Sequence, residues 1–153
     1  MTGNNSMLES FKMMLDTDKG FVISQIGRPS VSFPSFSIYH RNGLWMVLYF
    51  QETRIENTLH SLLKGITFFD ESLKLLWTSG IKLIPASSSA TSSVPSTINE
   101  VLELFGAPHA TFGASIATLQ YLSEDGSVVF VKYSEDKIVD ISSVSLPELA
   151  KLC

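Results

Sequence analysis

Three histidines, a few adjacent acidic pairs and one cysteine are the side chains that could support catalysis or hold a metal. His40, His60 and His109 lie far apart and show no metal-ligand spacing with one another, with the cysteine or with a carboxylate pair. The acidic pairs are Asp70/Glu71, Glu124/Asp125 and Glu135/Asp136. None is interleaved with apolar residues that would raise a carboxyl pKa for acid–base work. We therefore predict no catalytic residues, no metal site, no cofactor and no enzymatic activity.

The rest of the composition excludes several other classes of protein. The sequence has no Gly-x-Ser-x-Gly elbow, no P-loop and no dinucleotide fingerprint. A net charge of −4 gives no electrostatic case for nucleic acid and mildly favours a basic protein partner. No apolar run approaches the roughly 20 residues that span a bilayer. Cys153 has no intramolecular partner, and the first residues lack a signal-peptide pattern. We predict a cytoplasmic protein, or a periplasmic one if a signal peptide has been removed.

The candidate binding site is an aromatic side of a predicted antiparallel sheet. Residues 44–50, LWMVLYF, do not alternate between apolar and polar, as a strand with one solvated side would. Leu44, Met46, Leu48 and Phe50 are predicted to face helices, leaving Trp45, Val47 and Tyr49 on the other side with Tyr39 from the neighbouring strand. The equivalent outward set in the second half is Val128, Phe130 and Lys132.

Trp and Tyr dominate the binding energy of many protein interfaces. The residues predicted to bind a partner are therefore Tyr39, Trp45, Tyr49, Phe130 and Lys132. The alternative is that the chain itself, or a second molecule of it in a homodimer, covers this side of the sheet.

The elements that would position these residues occur twice. Residues 22–33, VISQIGRPSVSF, match residues 101–112, VLELFGAPHATF, in the spacing of apolar residues, glycine, proline and phenylalanine. The spacing predicts a short helix that ends at Gly27 and again at Gly106, because glycine tolerates the backbone that terminates a helix. Asp18 and Thr97 are the predicted N-caps, and Glu100 completes a capping box. We interpret these matches as an internal duplication; the alternative is two unrelated helix–hairpin segments, since a helix followed by Gly-x-Pro is common.

Each matched segment is followed by a predicted hairpin and a third strand. Asn42-Gly43 and Asp125-Gly126 lie between apolar runs, which is the strongest short signal for a β-hairpin. The third strands are QETRIENTLHSL and SEDKIVDISSVSL. They align Glu52 with Glu135, and Arg54-Ile55 with Lys137-Ile138.

Further helices complete the predicted units. A first helix is expected over residues 6–15, its counterpart over residues 70–77, and a capped C-terminal helix over residues 146–152. A Ser-rich stretch at residues 85–95 is predicted to be a surface insertion. The expected fold class is α+β, with two tandem helix–helix–antiparallel-sheet units over residues 1–69 and 70–153.

This order of elements resembles the repeat of the β-lactamase-inhibitor-protein-like fold, in which two such units form a concave sheet surface. Residues 97–108, TINEVLELFGAP, are also similar to the helix start of the SmpA/OmlA small lipoproteins of outer-membrane assembly. The chain departs from both: it lacks the disulfides of the inhibitors and the lipobox cysteine of the lipoproteins.

The resemblance implies a protein that binds another protein through its sheet surface. Its most concrete form is an inhibitor or immunity protein that blocks a bacterial toxin or hydrolase. The alternatives are an envelope-assembly factor of the SmpA/OmlA type and a small-ligand-binding protein that uses an apolar cleft between the units.

Overall fold

The computed structural model describes residues 12–33, 35–85, 96–112 and 116–152, without the side chains of Ala110 and Phe112. The chain divides into two compact units. Unit 1 comprises Met1–Asp70 and Leu76–Ile81, and unit 2 comprises Glu71–Leu75 and Lys82–Cys153. The first sheet has five strands in the order β1-β2-β3-β4-β5, and the second has four in the order β6-β7-β8-β9.

The first sheet follows a short helix, α1 (Lys19–Ile26). Its strands are β1 (Val31–Ser32), β2 (Phe36–Arg41), β3 (Leu44–Ile55), β4 (Thr58–Asp70) and β5 (Leu75–Ser79). The second sheet follows α2 (Ile98–Phe105) and is closed by a C-terminal helix, α3 (Leu146–Leu152). Its strands are β6 (Ala110–Phe112), β7 (Ala117–Leu122), β8 (Ser127–Ser134) and β9 (Lys137–Ser145).

The predicted fold class of two helix–helix–sheet units is wrong, because the described chain is mostly β-strand. The helix expected over residues 70–77 is instead a turn followed by β5. Leu73 adopts a positive φ of 66°, which a helix cannot accommodate. The Thr67 and Thr78 hydroxyl groups then hydrogen-bond at 2.8 Å, tying β5 to β4. The matching helix expected over residues 6–15 and the insertion at 85–95 lie mostly outside the described residues.

The two matched helices are confirmed, with their predicted caps. The Asp18 carboxylate accepts a hydrogen bond from the Gly20 N–H at 3.0 Å, and the Thr97 hydroxyl accepts one from the Glu100 N–H at 3.3 Å. Such side chains satisfy N–H groups that have no partner inside the helix. Both helices end on a glycine with positive φ, 89° at Gly27 and 83° at Gly106.

A tyrosine binds the end of each helix in the same way. The Tyr39 hydroxyl on β2 donates to the Gly27 carbonyl at 2.8 Å. The Tyr121 hydroxyl on β7 donates to the Gly106 carbonyl at 2.9 Å. Each bond satisfies a carbonyl at a helix C-terminus, where intrahelical partners have run out. We call these two contacts the tyrosine clamps.

The predicted hairpins β2–β3 and β7–β8 are confirmed. The alignment of the third strands is wrong, because both contain a turn that the sequence analysis overlooked. Glu56-Asn57 and Glu135-Asp136 have positive φ at both residues, between 48° and 69°, as a two-residue type I′ hairpin turn requires. Arg54 therefore lies on β3 before its turn, whereas Lys137 lies on β9 after its turn.

The fourth strand of each unit also pairs with the residue that caps the helix. Isolated antiparallel bridges join Asp18 to Leu62 on β4 and Thr97 to Lys137 on β9. Both strands carry a register shift, opposite Tyr49/Phe50 and opposite Lys132/Tyr133 respectively. These shared features agree with an internal duplication, and common ancestry of the two units stays a prediction.

Each helix covers an apolar cluster on one side of its sheet. In unit 1, Val22 of α1 packs with Met46, Leu48 and Phe50 of β3, as predicted. In unit 2, Val101 and Phe105 of α2 pack with Leu119 and Tyr121 of β7 and with Val129 and Val131 of β8. The clusters form because side chains two residues apart on a strand point to the same side.

Candidate functional site

The structure places Tyr39 on the helix-covered side of the first sheet, so the prediction that it lies on the opposite side with Trp45 is wrong. Tyr39 pairs directly with Met46 and belongs to the same apolar cluster. It is 1% exposed, and burial raises the pKa of its hydroxyl group, although the nearby Arg41 charge acts in the opposite direction. Its contribution is to the packing of α1.

Trp45 and Tyr49 lie on the opposite side of β3, where they were expected. Trp45 is nevertheless only 4% exposed, and the His40 ring stacks on it with centroids 4.0 Å apart and planes at 4°. Tyr49 is half-buried, with its ring 5.8 Å from that of Phe36, and burial raises its pKa.

Val47, Phe36, Ile38 and Phe69 on this side of the first sheet are fully buried. A strand buried on both sides is apolar throughout, which explains why residues 44–50 do not alternate. The surface predicted from Trp45 and Tyr39 is therefore not available to a partner.

Phe130 and Lys132 lie on the side of the second sheet opposite α2. Phe130 is half-buried and pairs with Gln120, while Lys132 is exposed and pairs with Thr118. Gln120 is fully buried, and neither of its amide atoms has a hydrogen-bond partner among the described residues. A buried amide without partners is unfavourable by about 1–3 kcal/mol. The role of Phe130 and Lys132 in partner binding stays a prediction.

His109 is half-buried and links two segments of unit 2. Its Nε2 atom lies 2.8 Å from the Lys82 carbonyl, and its Nδ1 atom accepts a hydrogen bond from the Leu122 N–H at 3.1 Å. An Nδ1 atom that accepts cannot carry a proton, so the ring is neutral and donates through Nε2. Burial lowers the pKa of His109. The position after Gly106-Ala107-Pro108 gave no sign of this role.

Within the described residues, no three His, Cys, Asp or Glu side chains are grouped as a metal site would require. None of the described helices has the length and apolar character needed to cross a bilayer.

Two exposed apolar side chains lie close together at the end of the β3–β4 hairpin. Leu76 on β5 and Val139 on β9 are comparably exposed, at 52% and 58%, but neither lies beside a second exposed apolar residue of its own hairpin end. We use the name ribbon for residues 51–55 of β3 and 58–62 of β4, together with the Glu56-Asn57 turn that joins them. Pairing continues from Gln51↔Leu62 to Ile55↔Thr58. Ile55 is 45% exposed and Leu59 is 56% exposed.

The ribbon extends past the strands that flank it. On the β3 edge, the last contact is the Phe50 N–H donating to the Ser35 carbonyl at 2.8 Å. On the β4 edge, the last backbone pairing is the bridge between Leu62 and Asp18, and the His60 Nδ1 atom lies 3.8 Å from the Asp18 carboxylate. Beyond these points, no strand in the described part of the chain pairs with either edge.

The second unit has no equivalent of the ribbon. After its register shift, the β8–β9 hairpin contains only the pairs Tyr133↔Ile138 and Ser134↔Lys137 before the turn. The extension therefore distinguishes the two units, and it is not needed to complete the sheet that both share.

No protein-family model matches this chain, and no curated protein or solved structure matches it either.

Proposed function

We propose that this protein acts by binding another protein, and that the end of the ribbon enters a cleft of that partner. The observation that carries the proposal is the exposure of Ile55 and Leu59, 45% and 56%, on a two-stranded extension that the second unit lacks. Single exposed apolar residues are common on protein surfaces. Here two of them lie next to the same turn, on a segment that contributes little to either apolar cluster.

The pairing register favours a cleft over a flat surface. Ile55 is paired with Thr58, and Leu59 is paired with Arg54. Because neighbouring positions on a strand point to opposite sides, Ile55 and Leu59 project from opposite sides of the ribbon. A flat partner could cover only one of them, whereas a cleft with apolar walls covers both. The five residues of β3 in the ribbon reach roughly 13 Å beyond the flanking strands.

This geometry suits an inhibitor or immunity protein, which blocks a bacterial toxin or hydrolase by filling the cleft in which that enzyme binds its substrate. The proposed binding site is the end of the ribbon, and not the side of the first sheet that contains Trp45 and Tyr49. The net charge of −4 supports a partner with a basic rim around the cleft.

The test compares wild-type protein with an Ile55→Ser/Leu59→Ser variant as bait in extracts of the natural source, followed by calorimetry with the purified partner. Burying two such side chains stabilises a complex by about 2 kcal/mol, so the variant should bind about 30-fold more weakly. For the inhibitor form, wild-type protein should also abolish the activity of the captured enzyme.

The matched control is Leu102→Ser/Leu104→Ser, which changes two side chains of α2 that are 40% and 47% exposed. It should bind like the wild type. Equal affinity of the ribbon variant and the wild type, with both variants folded, would show that the partner binds elsewhere.

A further inference from the structure

The β3 edge of the ribbon offers backbone groups that can form a further strand pairing. The Phe50 N–H points outwards, because it donates to Ser35 and not to β4. Backbone groups alternate in direction along a strand, so the N–H and carbonyl groups of Glu52 and Arg54 point outwards as well. Both residues are exposed, and no described residue bonds to these groups.

The charges on this edge are complementary to themselves. An antiparallel partner strand must set outward-pointing residues opposite one another, which restricts pairing to positions 52 and 54. When a second molecule of this chain pairs about a two-fold axis at Thr53, Glu52 of each molecule lies opposite Arg54 of the other. The Thr53 side chains then meet at the axis, in the closely spaced position without backbone hydrogen bonds.

The neighbouring registers are disfavoured. A shift in one direction sets Glu52 opposite Glu52, and a shift in the other sets Arg54 opposite Arg54. Directly opposed like charges destabilise a strand pair, and opposite charges stabilise it. The sequence Glu-Thr-Arg on this edge therefore selects one register of self-pairing.

We propose that this protein forms a symmetric homodimer through antiparallel pairing of the β3 edges, centred on Thr53. The dimer completes an edge that would otherwise be open to uncontrolled strand pairing. It is transient, because a pairing of this length buries less than about 1,200 Å², the lower limit of stable interfaces. The inference goes beyond the proposed function and does not depend on it, since it uses the backbone edge and its charges, not Ile55 and Leu59.

Charge reversal tests the register. Glu52→Arg sets Arg opposite Arg in both pairs, and Arg54→Glu sets Glu opposite Glu. Each variant should weaken the dimer at least about tenfold in sedimentation equilibrium. An equimolar mixture of the two variants should dimerise again, because every pair across the interface is then opposite in charge. The Glu52→Arg/Arg54→Glu double variant should also recover the homodimer.

Glu103→Arg, the same charge change at an exposed position of α2, is the control and should leave the dimer unchanged. The proposal is overturned if the wild-type protein stays monomeric at its highest soluble concentration. It is also overturned if the single variants dimerise like the wild type, or if their mixture does not recover.

Disulfide cross-linking tests independently whether the two-fold axis of the dimer lies at Thr53. In a Cys153→Ser background, Thr53→Cys should form a disulfide-linked dimer on mild oxidation, because the two Cys side chains would meet at the axis. Gln51→Cys is the control, since position 51 lies opposite Ile55 and not opposite itself. Equal cross-linking of both variants would contradict the register.

Discussion

Removal of one hydroxyl group from the unit 2 tyrosine clamp should destabilise the protein measurably. Tyr121→Phe keeps the ring, which packs at 5.3 Å from Phe105, and deletes only the hydrogen bond to the Gly106 carbonyl. A typical hydrogen bond contributes about 0.5–1.5 kcal/mol, and a buried carbonyl left without a partner costs about 1–3 kcal/mol. Gly106 is half-buried, so water can reach its carbonyl only in part. We expect a loss of about 1.5 kcal/mol.

The unit 1 clamp provides an internal comparison. Tyr39→Phe deletes the equivalent bond, of 2.8 Å, but Gly27 is exposed and its carbonyl can be hydrated after the change. In addition, the Arg41 guanidinium donates to the Ile26 and Arg28 carbonyls, which holds the same helix end. The expected loss is therefore smaller, about 0.5 kcal/mol.

Urea denaturation followed by far-UV circular dichroism measures both losses. With a slope near 2 kcal/mol per molar urea, Tyr121→Phe should lower the midpoint by about 0.7 M and Tyr39→Phe by about 0.2 M. Tyr133→Phe is the control, because Tyr133 packs against the same unit 2 cluster and its hydroxyl forms no described hydrogen bond. The reasoning is refuted if Tyr121→Phe unfolds at the wild-type midpoint, or if Tyr133→Phe loses as much stability.

Four further substitutions probe unit-specific features. Because the folded pKa of His109 is lowered from 6.5, the unfolded state takes up the proton first, and the free energy of unfolding should fall as the pH drops from about 6.5 towards the folded pKa. His109→Asn should flatten this dependence in urea titrations at pH 7 and pH 5. Gly80→Ala should cost more than about 2 kcal/mol, since φ is 77° and the added Cβ would lie 2.0 Å from the Lys64 carbonyl oxygen. Gly106→Ala, whose Cβ would meet only Lys82 Nζ at 3.6 Å, should cost about 1 kcal/mol, and equal losses in thermal melts would contradict this difference. Gln120→Met should stabilise by about 1 kcal/mol because it removes a buried amide without partners, and a lowered melting temperature would count against that account.

The sequence was informative where a local rule determines the backbone. Asp18 and Thr97 cap their helices, and both helices end on glycine, because these residue types satisfy groups within one helical turn. The hairpin at Asn42-Gly43 follows from the same kind of local preference.

Long-range pairing could not be read from local patterns. Residues 70–77 have the apolar spacing of a helix, but those from Leu75 onwards belong to β5 and pair with the edge of β4. Tertiary context overrides propensity in such segments. The Glu56-Asn57 and Glu135-Asp136 turns lack glycine, so both were missed and the ribbon was assigned to the wrong strand.

The side on which a strand residue lies depends on its register with the neighbouring strand. Tyr39 was assigned to the wrong side because its pairing with Met46 was not known from the sequence. The burial of Trp45 follows from packing on both sides of the first sheet, which the uniform apolar run of residues 44–50 indicates but does not prove. Because Tyr39 and Trp45 are buried and the exposed apolar residues Ile55 and Leu59 lie on the ribbon, the candidate binding site is on the ribbon.

The bridge from each N-cap residue to the last long strand has a consequence for synthesis on the ribosome. The bridge at Asp18 can form only when Leu62 is available, and the bridge at Thr97 only when Lys137 is available. Each helix start therefore gains its bridge only after roughly 40 further residues have left the exit tunnel. A nascent chain arrested before residue 62 has emerged should therefore have an α1 helix without this bridge, which nearby chaperones or proteases can reach.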